Sequence, residues 1–169
     1  MKDRNILIGT ALVLVVFGVF AFLNVNFFKM PSSALTNNQL TATAVPFVPI
    51  VEGSNSKVTT RTNYLITSSD QLQKLWGLID ATGTPPPIDF SSQNVLAVFA
   101  GQEPTTGYAV AVSKVVDSNN RVVSVTIQQP DSACQPKAQP TAPYELVTVP
   151  ATTLPLTHQD IPGTNDCQN

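Results

Sequence analysis

The stretch Ser68-Ser69-Asp70-Gln71-Leu72-Gln73-Lys74-Leu75-Trp76-Gly77-Leu78-Ile79, followed beyond three prolines by Val95-Leu96-Ala97-Val98-Phe99-Ala100, decides the fold. Ser68 and Gln71 stand at the spacing of a capping box, in which a short hydroxyl side chain and a long amide satisfy the first free amides of a helix. Leu72, Leu75, Trp76 and Ile79 then recur at offsets of three, four and seven, which puts them on one helical face. On that face Trp76 is a packing residue, not a contact point for a partner. Thr84-Pro85-Pro86-Pro87 ends any helix, because successive prolines remove amide donors. Ile88-Asp89-Phe90 leads into residues 95–100, whose unbroken apolar run suits a central strand covered on a face by the helix.

Working outward toward the C-terminus, residues 108–116 and 122–128 read as strands joined by Asp117-Ser118-Asn119-Asn120, a turn of residues that tolerate left-handed backbone. Val123, Val125 and Ile127 alternate with Ser124, Thr126 and Gln128, so one face of that second strand is wet. Residues 130–143 form a proline-bearing loop that contains Cys134, and residues 144–149 return as the last strand. Residues 151–169 read as an extended tail that Cys167 can pin. Toward the N-terminus, residues 45–51 are apolar but interrupted by Pro46 and Pro49. Residues 58–67 are threonine-rich, with Tyr64 and Ile66 on one period-two face. These two segments are expected to pair, with an irregular edge at the prolines. The fold class is therefore α+β: a small, mostly antiparallel β-sheet domain with one packed amphipathic helix, preceded by an N-terminal transmembrane helix.

That last element rests on residues 6–28, which contain no charge. About 23 residues at ~1.5 Å each make roughly 34 Å of helix, enough for a hydrocarbon core of about 30 Å. A cleaved leader, cut at Ser32-Ser33-Ala34, is the competing reading; its apolar region is usually only about 7–15 residues long. Lys2 and Arg4 precede the span and Lys29 follows it, which favours a cytoplasmic N-terminus and an extracytoplasmic C-terminal domain. The organisation expected is a membrane anchor at 1–29, a flexible uncharged linker at 30–44, a folded domain at 45–150 and the tail at 151–169. Outside the cytoplasm a bridge between Cys134 and Cys167 can persist, although two unpaired thiols fit the spacing as well.

The composition excludes several chemistries. The chain has 169 residues, 12% of them charged, with a formal net charge of -2. Its six basic residues after Lys29 face ten acidic ones, so a phosphate-binding surface, and with it nucleic-acid binding, is not expected. His158 is the sole histidine and sits in the tail, which leaves a serine or cysteine nucleophile without a base. Ser54-Asn55-Ser56-Lys57 has the spacing of a catalytic serine and lysine but lies in a turn. Asp80 and Asp89 read as a helix-end residue and a turn residue rather than an acid–base pair. No metal-ligand cluster or phosphate-cradling loop is present, so no catalytic residue, metal or cofactor is expected, and the chain reads as a non-enzyme.

The loop with the better claim to function is Gly101, Gln102, Glu103, Thr105, Thr106, Gly107 and Tyr108: its glycines let backbone approach a partner, and its polar side chains offer contacts. Together with Gly53, Tyr64 to Ser69, Leu72 to Trp76, Pro87-Ile88-Asp89-Phe90 and residues 95–99, this loop resembles the C-terminal domain of the protease complex subunit PrcB family. Thr141-Ala142-Pro143-Tyr144-Glu145-Leu146-Val147 is similar to that family's closing strand. Thr106 stands where a second glycine is frequent, and Ala142 where a serine is common. The resemblance spans residues 45–150. It implies a small α+β domain on secreted or surface proteins that helps form or stabilise a complex with a protease, and it implies no catalytic residues. The expected function is a membrane-tethered extracytoplasmic protein-interaction domain, an accessory to an exported protease. The alternative is an inhibitor-like or small-ligand-binding domain that acts through its loops.

Overall fold

The computed structural model of the chain describes residues 41–166. The elements run β1 (Thr43–Ala44), β2 (Val48–Gly53), β3 (Thr62–Ile66), α1 (Ser69–Trp76), β4 (Gln93–Phe99), β5 (Ala109–Asp117), β6 (Arg121–Pro130), β7 (Tyr144–Pro150) and β8 (Leu156–Asn165). They form two four-stranded sheets, in the orders β1-β5-β6-β8 and β2-β7-β4-β3.

The layers follow from which face each side chain takes. Val95, Ala97, Phe99, Tyr144 and Leu146 on one face of the second sheet pack with Leu72, Leu75 and Trp76 of α1. On the opposite face Leu96, Val98, Val147 and Val149 pack against Val110, Val112, Val115, Val123 and Val125 of the first sheet. The result is three layers, helix on sheet on sheet. With both faces covered, β4 and β7 have almost no wet side, and that is why residues 95–99 run apolar without alternation, while β7 buries Glu145 and Thr148 among its apolar residues. Each Leu, Val or Phe buried here contributes about 1.5–3 kcal/mol. Phe99 is flanked by Tyr64 edge-on at 5.8 Å and by Tyr144 in a stacked arrangement at 6.1 Å.

The helix begins as its cap dictates. Ser68 Oγ accepts from the Gln71 amide at 3.4 Å, and Gln71 Oε1 accepts in return from the Thr67 amide at 2.8 Å. At the other end Lys57 Nζ donates to the Gly77 carbonyl at 2.9 Å, placing a cation at the negative pole of the helix. This contact also gives the lysine of the Ser54 to Lys57 spacing a purely structural partner.

Two expectations about strand order are corrected. The segments expected to pair, β2 and β3, sit at opposite edges of the second sheet, each beside a different central strand. β4 and β7 bury apolar side chains on both faces and so take the centre, which leaves the edges to the proline-bearing β2 and to β3. Nor does β7 end the fold. Residues 156–165 of the expected tail are β8, which pairs in parallel with β6 from Arg121 opposite Leu156 to Pro130 opposite Asn165. The Arg121 amide donates to the Pro155 carbonyl and the Asp131 amide to that of Asn165. Odd-numbered positions of β8 therefore face β6, and Pro162, which lacks an amide proton, faces the open edge where none is needed.

Side-chain ties hold β8 in place. Arg61 reaches Asp160 with Nε at 3.0 Å and Nη2 at 2.5 Å, linking the edges of the two sheets. Arg121, 3% exposed, meets Asp117 through Nε and Nη2 at 2.7 and 2.8 Å and the Pro150 carbonyl through Nη1 at 2.5 Å. This fastens the β5–β6 hairpin to the end of β7. The end of the expected linker also joins the fold, since Thr43 and Ala44 pair with Asp117 and Val116.

Among the described residues no helix is long and apolar enough to cross a membrane. The expected anchor at 1–29 lies outside the described residues. So does Cys167, the expected partner of Cys134, whose Sγ stands 3.8 Å from the Asn165 carbonyl.

Candidate functional site

The loop from Gly101 to Tyr108 leaves β4 at one end of the sheets, and its two outer glycines answer a steric demand. Gly101 has φ +91°, and a Cβ there would lie 2.9 Å from the Arg61 nitrogen and 3.0 Å from the Thr60 carbonyl carbon. Gly107 has φ +93°, and its Cβ would stand 2.9 Å from Pro130 Cβ. Both bring the loop against this chain's own backbone or ring, so their conformation has an internal use.

Hydrogen bonds then stitch the loop to its neighbours. The Gln102 amide donates to the Thr59 carbonyl at 3.0 Å. Glu103 and Thr141 exchange amide-to-carbonyl bonds at 2.8 and 3.0 Å, and Thr141 Oγ1 donates to the Thr105 carbonyl at 3.0 Å. The Thr106 amide donates to the Lys137 carbonyl at 3.1 Å, and the Lys137 amide returns a bond to Thr106 Oγ1 at 3.0 Å. Asn165 Nδ2 closes the set on the Gly107 carbonyl at 3.1 Å. Thr106, where a glycine is frequent in the family, thus uses its hydroxyl as a staple. Gln102 and Gly107 are exposed, while Glu103, Thr105, Thr106 and Tyr108 are half-buried. Burial pushes the Glu103 carboxyl above the usual carboxylate range.

Tyr108 opens a cleft of about 290 Å³ next to this loop, lined by residues 52–54 on one side, residues 108–110 on the other, and Pro143 and Tyr144. Gly53 makes room for the Tyr144 ring, because a Cβ there would fall 2.6 Å from it. The phenol donates to Asp80 Oδ1 at 2.7 Å, and burial together with that bond raises its pKa. Beside the cleft Glu52 lies directly opposite Glu145 across the β2–β7 pairing. Glu145 is 5% exposed, and its Oε2 accepts the Val112 amide at 2.6 Å. Burial drives its pKa up, the Val112 amide pulls it partly back, and the negative charge of Glu52 raises it further.

This carboxylate pair was not legible in the sequence, since residues 52 and 145 are far apart and only the strand pairing joins them. His158 is a second such case. On β8 it lines a cavity of about 250 Å³ between the sheets, together with Asn63, Tyr64, Val123 and Leu156. The tail has no hydrophobic period that would have marked it as a strand. The aspartates expected to be structural have such partners: Asp80 bonds Tyr144 and Asn55, and Asp89 accepts from Ser91 and Ser92. Hydrogen bonds from both serines hold the Asp89 carboxyl below the usual range. Among the described residues no three His, Cys, Asp or Glu side chains gather to hold a metal ion.

Taken with the layers, these features define a class: a helix-backed pair of β-sheets that carries a stitched loop and an open cleft at one end. Residues 94–150, from β4 to β7, match the family model described as PrcB C-terminal, the family the sequence resembles. No curated protein and no solved structure matches the chain. The matched residues include the whole loop and the strand that carries Tyr144 and Glu145, whereas β2, α1 and β8 lie outside them.

Proposed function

We propose that the chain is a non-catalytic, membrane-tethered, extracytoplasmic interaction domain that joins or stabilises a complex with an exported protease. The family match over residues 94–150 carries this reading, because the matched stretch is the part that builds the loop and one wall of the cleft. Likeness to that family suggests a domain related to a protease complex. The contact surface in this reading is the outward face of the loop, with Gln102 at its centre, and the adjoining strand edges.

A photo-crosslinking side chain placed at Gln102 in the full chain, in its native membrane, tests this directly. The expected result is an adduct with a protease, and none from the same group at Gln73 on α1. Protease activity in the adduct-forming complex should be retained and its lifetime extended. Absence of any protein adduct at Gln102 overturns the proposal, and abolished protease turnover on adding the domain replaces it with the inhibitor reading.

A further inference from the structure

We infer that two copies of this chain join through the outer edge of β8, antiparallel about a two-fold axis at Gln159, so that their first sheets become one continuous sheet. Nothing in this depends on the protease reading.

The edge is open and exposed. β8 ends the order β1-β5-β6-β8, and among the described residues no strand pairs with its other side. Residues 156–162 are all exposed. Odd-numbered positions turn amide and carbonyl toward β6, so Leu156, His158 and Asp160 turn theirs toward solvent. Edge strands that stay unpaired are commonly guarded by lysine, unpaired charge or proline. β8 carries no lysine, its Asp160 is paired with Arg61, and Pro162 withholds an amide only beyond residue 161.

Exposed apolar surface gathers along the same side. Among the described residues the exposed large hydrophobics are Val48, Tyr64, Leu65, Leu78, Leu156 and Ile161. Tyr64 and Leu65 stand on β3, and Leu156 and Ile161 on β8. Arg61 bonds both Asn63 of β3 and Asp160 of β8, so these two free edges lie side by side. Apolar side chains beside an unpaired edge are the mark of a surface that is covered in an assembly.

Register names the occupant as a second copy. In an antiparallel pair, outward-facing positions bond each other, so two copies of β8 meet about a single central residue. Centred on Gln159, His158 lies opposite the partner's Asp160, and the two-fold repeats the contact. Leu156 then lies opposite the partner's Pro162, and about six ladder hydrogen bonds form before that proline ends the pairing. Centred one residue either way, His158 or Asp160 meets itself, and two aspartates directly opposite are unfavourable. His158 faces the second sheet, since it pairs with Val123 and lines a cavity with it. Asp160, two residues on, takes the same face. The partner's His158 thus donates a ring N–H to the carboxylate that Arg61 already holds.

The test uses the purified full chain in mild detergent. Sedimentation is expected to show a dimer that dissociates on dilution. H158P removes an outward amide and leaves the β6 ladder intact, so it should weaken association by about tenfold. Its urea midpoint, read at Trp76 in the dilute monomeric range, should match the parent's. At the two-fold axis the Gln159 Cα atoms stand about 4.5 Å apart, within disulfide reach. Q159C should therefore give a disulfide-linked dimer on mild oxidation, well ahead of Q73C on the exposed face of α1. H158P associating as tightly as the parent, Q159C linking no faster than Q73C, or a parent that stays monomeric to about 100 μM each overturns the inference.

Discussion

Three glycine-to-alanine substitutions separate backbone strain from steric contact at the loop, because the three positions share a positive φ and differ in surroundings. Gly83 has φ +78° and nothing within 4 Å of a Cβ, so G83A carries the conformational cost alone, about 1–2 kcal/mol. Gly107 adds a contact of 2.9 Å to the Pro130 ring, and a ring at a strand end can move aside by a few tenths of an ångström. G107A is therefore expected to cost about 2–3 kcal/mol. At Gly101 the obstacle at 2.9 Å is the Arg61 backbone nitrogen. That backbone is held, since Arg61 bonds Asp160, Asn63 and the Phe99 carbonyl, and the adjacent Thr59 carbonyl takes the Gln102 amide. Relief by local movement would break these bonds, so G101A should cost about 3–5 kcal/mol. Trp76 is the sole tryptophan and is 8% exposed, which makes its emission a built-in reporter of unfolding in urea. The expected order of loss is G101A, then G107A, then G83A. If G101A unfolds at the same urea concentration as G83A, the loop does not rest on residues 59–61 as described.

Glu145→Gln keeps an acceptor for the Val112 amide but removes a carboxylate whose pKa is raised in the fold. A raised carboxyl pKa means that stability is fullest below the ordinary glutamate range and declines as pH rises through the folded-state value. E145Q should therefore be more stable than the parent at neutral pH, with the gain vanishing in acid; a gain independent of pH between about 4 and 7 refutes this. Asp117→Asn leaves the buried Arg121 guanidinium without its counter-charge and should cost about 3 kcal/mol by urea unfolding, whereas a loss under about 1 kcal/mol would show the pair to be dispensable. The Arg121 bonds hold the Asp117 carboxyl below its usual range, so the parent's advantage over D117N should persist at neutral pH and fade only in strong acid. Cys134 lies against the end of β8, and a bridge to Cys167 would add about 3.5–4 kcal/mol in the chain-entropy model. Thiol labelling under non-reducing, denaturing conditions should find no reactive cysteine, and C134S should lower the urea midpoint; two labelled thiols would refute the bridge.

The elements legible in the sequence are those whose signal is local. Ser68 with Gln71 marked the helix start, and the Asp117 to Asn120 turn marked a hairpin whose strands the structure places at Ala109–Asp117 and Arg121–Pro130. β8 was missed as an element because its partner supplies what its own residues lack. Leu-Thr-His-Gln-Asp-Ile-Pro-Gly has no alternation, its residues are mostly exposed, and it is a strand because ten residues of β6 lie beside it in register. The loop was singled out in the sequence by its glycines, and the fold adds a use for Gly101 and Gly107 within the chain itself. A glycine pattern reports that something comes close, and only the fold shows that the close neighbours are residues 59–61 and Pro130.

The residues by themselves determined where helix, hairpin and central strand would form, because capping, turn chemistry and hydrophobic period act over a few positions along the chain. The tertiary structure alone decided that β2 and β3 lie at opposite edges, that the tail closes the first sheet, and that Glu52 lies opposite Glu145. Those outcomes depend on which surfaces compete for cover on both faces, a contest between segments distant in sequence that no local pattern records.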